Sequence, residues 1–154
     1  MDYGKLMARL KHVEGVRFKA YDDATGRTAV PGELIVGNVT IGIGRNLVGK
    51  GISQDEILYL LKNDMEFCGN FARATIGSVV FDAMPDARQR AFTEMVFNLG
   101  TYKTTQFKTA IGFARSAEFG RCADALMESA WARELPARVR WIAETVRTGS
   151  DATE

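Results

Sequence analysis

The spacing of apolar residues changes twice along this chain, and those two changes limit its fold more than any other feature. Tyr3, Leu6, Leu10 and Val13 recur at helical intervals, with Lys5, Arg9 and Lys11 on the remaining faces. Gly15 supplies a stop. From Arg17 to Gly44 the helical period disappears, and Gly26, Pro31, Gly32, Gly37, Gly42 and Gly44 punctuate short runs of Val, Ile and Thr. The run Val39–Gly44 alternates with period two, so this segment predicts a small antiparallel sheet with tight turns. Helical spacing then returns and persists to Gly149. The expected class is α+β and predominantly helical, with a small N-terminal β-region and a larger helical lobe.

Boundary signals divide the helical part. Ser53 with Glu56 fits a capping box, followed by an apolar stripe of Ile57, Leu58, Leu61 and Met65. This helix is expected to run past Cys68 toward Ala74, long enough to bridge two lobes. After Pro85, Asp86 and Gln89 mark another start. Ala91, Phe92, Met95, Val96 and Leu99 follow as the strongest core stripe, and Gly100 ends it. Shorter helices are expected near 106–115 and 120–130. A last one opens at Pro136, carries Val139, Ile142, Ala143 and Val146, and stops at Gly149. Residues 150–154 read as a frayed tail.

Charge and composition narrow the functional classes. With 20 basic and 19 acidic residues in 154, the net charge of +1 provides no global attraction to an anionic polymer, and nucleic-acid binding is not expected. Two isolated cysteines, Cys68 and Cys122, and the single His12 do not make a zinc site, and no metal or cofactor is expected. Both cysteines fall in helical patterns and read as small core residues; their pairing stays open, and a reducing compartment is the simpler setting. Trp131 and Trp141 also read as core. Arg133, Arg138, Arg140 and Arg147 are diluted by Glu134 and Glu144, which fits a solvated face better than a membrane-active helix. The charged N-terminus is expected to be neither a signal peptide nor a membrane anchor. One domain spanning 1–154 is anticipated, with a small lobe at about 14–60 and a helical lobe at about 75–149 that includes the N-terminal helix.

Glu14 sits where a helix should end, a place where the macrodipole disfavours a carboxylate. Its neighbours Val13, Gly15 and Val16 are apolar, a setting that favours a protonated acid. Asp22 and Asp23 follow Tyr21 at the start of the glycine-rich segment, where solvent and hydrogen bonds favour an ionised carboxylate. One protonated and one ionised carboxyl group are what glycoside hydrolysis requires on either side of the scissile bond.

The string Glu14-Gly15-Val16-Arg17-Phe18-Lys19-Ala20-Tyr21, then Asp23, Gly26 and Thr40-Ile41-Gly42-Ile43-Gly44, resembles the catalytic region of the phage-type lysozymes. Met95-Val96-Phe97-Asn98-Leu99-Gly100 is similar to the helix crossing that family's larger lobe, and Trp131, Pro136, Arg138 and Arg147-Thr148-Gly149 keep the family's order. The resemblance implies a two-lobe lysozyme-like fold and a muramidase acting on the glycan strands of bacterial peptidoglycan. It implies Glu14 as general acid, Asp23 as base or charge stabiliser, and Thr40 as a guide for water. Gly44, Phe97 and Asn98 would line the sugar cleft, and Arg138 would approach Glu14.

Three departures accompany the likeness. The stretch from Asp23 to Thr40 is longer than the family pattern, which suggests an enlarged hairpin and leaves Asp22 and Thr28 as rivals of Asp23 and Thr40. The alternation of an extended run places adjacent aspartates on opposite sides, so Asp22→Asn and Thr28→Ala are expected to cost little turnover, and Asp23→Asn and Thr40→Ala to lower it strongly. Arg45 stands where such lysozymes usually carry histidine. Glu33, in the lengthened connection, adds a carboxylate to weigh. A lytic transglycosylase and a non-catalytic wall-binding phage module are the alternative functions. The expectation is a monomer without stable membrane insertion, waiting in the host cytoplasm as an endolysin or tethered to a virion protein.

Overall fold

The computed structural model describes residues 1–153, and the chain is 63 % helical with a small antiparallel sheet. This is the α+β, helix-dominated class that the spacing implied, and it fits the lysozyme-like fold that the resemblance implied. It comprises two compact units, Met1–Ile57 and the chain from Leu58 onward.

The first unit opens with α1 (Tyr3–Glu14), capped where the Asp2 carboxylate accepts the Lys5 amide at 3.0 Å. Gly15 closes the helix by donating its amide to the Lys11 carbonyl at 3.1 Å. No residue of α1 is buried, and its Tyr3, Leu6, Leu10 and Val13 stripe remains exposed. The sheet has order β1-β2-β3, formed by β1 (Arg17–Asp22), β2 (Val39–Gly42) and β3 (Arg45–Asn46). Both pairings are antiparallel, with Tyr21 opposite Thr40, Asp22 opposite Val39, and Thr40 opposite Asn46. The sheet thus extends past Gly44, where the alternation stops being visible. Among the described residues of this unit, Asp22 and Thr40 are the buried ones, and both are polar. Hydrogen bonds, rather than a packed apolar centre, organise this unit.

α2 (Gln54–Ile76) begins with the expected capping box: the Ser53 hydroxyl accepts the Glu56 amide at 3.3 Å, and a Glu56 carboxylate oxygen accepts the Ser53 amide at 2.6 Å. Beyond it lie α3 (Ser78–Asp82), α4 (Asp86–Gln106), α5 (Lys108–Arg115), α6 (Phe119–Met127), α7 (Ala130–Glu134) and α8 (Pro136–Thr148). The path of α4 breaks at Gly100, whose φ of 74° and ψ of 166° are not helical, at the position read as a helix end. α3 and α7, five residues each, are too short to reveal a period and were not anticipated.

The apolar core belongs to the second unit. Phe92, Met95 and Val96 of α4 meet Cys122 and Leu126 of α6 and Val139, Ile142 and Val146 of α8. Burying each large aliphatic side chain contributes about 1.5–3 kcal/mol. Trp131 is buried, as read, with its ring edge-on to Phe107; Trp141 is half-buried against the same core. Cys68 and Cys122 are buried and unpaired. The tail departs from expectation. The Trp141 indole donates to the Ala152 carbonyl at 2.9 Å, the Ala152 amide donates to the Thr145 hydroxyl at 3.1 Å, and Asp151 pairs with Arg90 at 2.7 Å. Asp151 and Ala152 are therefore tied down by side chains of α4 and α8; residue 154 lies outside the described residues.

Candidate active site

Glu14 is the last residue of α1, and the strand after it begins at Arg17, so the carboxylate stands where helix gives way to sheet. It is exposed. Its Oε2 lies 3.7 Å from the point a Cβ would occupy on Gly44. Gly44 has φ of 69°, a backbone state that side chains rarely adopt, and it makes the turn between β2 and β3. A residue with no side chain is thus held beside Glu14, leaving room at that carboxylate for a ligand.

At the other end of β1, the two neighbouring aspartates turn opposite ways. Asp22 is 3 % exposed and accepts three backbone amides: Ala24 at 2.9 Å, Gly37 at 3.0 Å and Val36 at 2.9 Å. The Val36 amide is the strongest influence holding its carboxyl below the ordinary aspartate range, with Gly37 and Ala24 adding to it against the opposing effect of burial. These bonds give Asp22 a structural part, separate from the expectation that its substitution costs little turnover. It does point away from the exposed side, but it closes the connection between β1 and β2. Gly37 completes that closure, since a Cβ there would lie 2.7 Å from the Ala24 Cβ.

Asp23 is exposed, and Asn38 holds both of its oxygens. The Asn38 amide donates to Oδ1 at 2.7 Å and the Asn38 side-chain Nδ2 to Oδ2 at 3.1 Å. The Asp23 amide returns a bond to the Asn38 carbonyl at 3.0 Å. Thr40 is 3 % exposed, and its hydroxyl donates to that same carbonyl at 3.4 Å. Asp23 and Thr40 thus share one partner. Thr28 is exposed and joined to Tyr21 by a single bridge, and Glu33 is exposed in the connection.

Arg45 anchors the segment after Gly44. Its Nε donates to the Gly51 carbonyl at 2.8 Å and its Nη2 meets the Glu56 carboxylate at 2.7 Å. The Ser53 amide and hydroxyl, with Arg45, hold Glu56 below its usual carboxylate range. In the helical unit, Phe97 is half exposed, and Asn98 accepts the buried Trp131 indole through Oδ1 at 2.8 Å. Arg138 pairs with Glu94 at 3.3 Å and borders a cavity of about 780 Å³ with Trp141, Arg140 and Glu144.

Glu14 closes α1 just before β1, and the clasped Asp23 follows β1 directly, so one short strand separates the two carboxylates. The family described as phage lysozyme matches residues 11–139, and the chain belongs to that family. It is a peptidoglycan-degrading hydrolase of the phage type. No helix among the described residues is long and apolar enough to cross a membrane.

Sequence reasoning missed Asn38 and the anchoring role of Asp22. A usable signal was present: Gly37-Asn38 stands directly before the strand that carries Thr40, and asparagine there can bond backbone across a turn.

Proposed function

We propose that this chain is an N-acetylmuramidase that hydrolyses the β-1,4 bond between N-acetylmuramic acid and N-acetylglucosamine. Glu14 protonates the leaving oxygen. Asp23 assists the attacking water or stabilises the positive charge developing on the sugar, and the Thr40 hydroxyl, with acceptor capacity remaining, helps place that water. Gly44, Phe97, Asn98 and Arg138 contact the glycan. The observation that supports this best is the clasped Asp23 directly after β1, in the unit whose β2–β3 turn lies against Glu14. A transglycosylase works with one acid and needs no second carboxylate held in place. The enzyme acts as a monomer on wall glycan, delivered as an endolysin or as part of a virion.

Mass spectrometry of peptidoglycan digested by the purified chain tests the reading. Free reducing ends on N-acetylmuramic acid are expected. Predominantly 1,6-anhydro products would replace hydrolysis with transglycosylation, and undigested glycan would leave a wall-binding module.

A further inference from the structure

We infer that Asn38 is a positioning residue for the reaction: it orients the Asp23 carboxylate and couples it to Thr40. This rests on the reading of Asp23 as the second carboxylate of the mechanism.

An exposed aspartate on a turn ordinarily samples several rotamers, and a carboxylate that acts on one water must not. Here both oxygens of Asp23 are engaged by a single residue, at 2.7 Å from the backbone amide and 3.1 Å from the side-chain amide. Two donors in fixed relative positions define the plane of the carboxylate as well as its location. Each carboxylate oxygen keeps a further lone pair for a water, so the clasp orients without blocking. The Asn38 carbonyl gathers the Asp23 amide at 3.0 Å and the Thr40 hydroxyl at 3.4 Å, which links the two residues assigned to the water through one peptide.

Asn38 is itself held from behind. The three amides on the buried Asp22 bind residue 24 to residues 36 and 37, so the two ends of the long connection are joined immediately before the clasp. The unit has no buried apolar side chain among its described residues to do this. The lengthened connection therefore ends in a polar lock whose outer face is Asp23–Asn38 and whose inner face is Asp22.

The test is a double-mutant cycle on soluble, uncrosslinked glycan strands with Asn38→Ala, Asp23→Asn and both together, assayed below the lowest Tm of the set. Asn38→Ala keeps the backbone donor and removes the side-chain donor. It should lower kcat on the order of tenfold with KM within about twofold, as expected when a reacting group is misaligned rather than lost. In the Asp23→Asn background it should change kcat little, because a residue acting through Asp23 has nothing left to orient. Asn38→Ser serves in its place should the alanine variant fold poorly. Full turnover in Asn38→Ala, a rise in KM alone, or losses that multiply in the double variant would each overturn the inference while the muramidase reading stands. Wild-type turnover in Asp23→Asn would instead overturn the reading of Asp23 on which it rests.

Discussion

Asp22 and Asp23 are adjacent in the chain and opposite in environment. Asp22 ends β1 and is buried, whereas Asp23 opens the turn that follows and is exposed. What each then bonds depends on residues 36–38, which arrive from the far end of a long connection. Because Asp22 has a lowered carboxyl pKa when folded, the unfolded chain binds its proton more readily. Its contribution is fully present above the ordinary value of 3.8 and is lost as pH falls through the lowered one. Asp22→Asn should therefore lower Tm at neutral pH and give a shallower fall of Tm with acid below about pH 5. Parallel wild-type and variant melting curves across that range check this; equal acid slopes would deny Asp22 its anchoring role. At Glu14 the expectation is catalytic: Glu14→Gln should reduce turnover by about 10²–10⁴-fold with Tm nearly unchanged, since the amide has similar volume and no proton to donate. More than about a tenth of wild-type activity would remove Glu14 from general-acid catalysis.

At the scale of elements, the clearest local signals were those in which a few neighbouring residues complete a physical unit. Ser53 and Glu56 satisfy each other's backbone amides without help from elsewhere, so the start of α2 was legible. Ser53→Ala should cost about 1 kcal/mol, read as a lower urea midpoint, because the Glu56 amide loses its cap. An unchanged midpoint would show that the Glu56 carboxylate, gripped by Arg45 and by the residue 53 amide, holds the helix start without the hydroxyl. The break at Gly100 and the stop at Gly149 were legible for a similar reason, each being a glycine at the end of an apolar stripe. β3, α3 and α7 were not, since two or five residues cannot display a period. The tail after Gly149 was misjudged because its partners, Arg90, Trp141 and Thr145, lie on α4 and α8.

Across the whole molecule the two units differ in what stabilises them. The second carries the apolar core, and Ile142 is fully buried in it; Ile142→Ala should cost about 2–5 kcal/mol in global unfolding through lost burial and the cavity left behind. Burial pushes the Cys122 thiol up to about 12, against the opposing influence of Arg88. It should therefore resist thiol reagents at pH 8 in the native state and react at a rate that tracks unfolding, measured by labelling in rising urea. The helical period, the capping signals and the order of the Glu14, Asp23 and Thr40 motifs lay in the sequence itself, because each depends on residues near one another in the chain. The partner of Asp23, the burial of Asp22 and the fixing of the tail were decided by tertiary structure. Those bonds join residues of different elements and connections at no regular interval, and such a pairing leaves no spacing for a sequence to show.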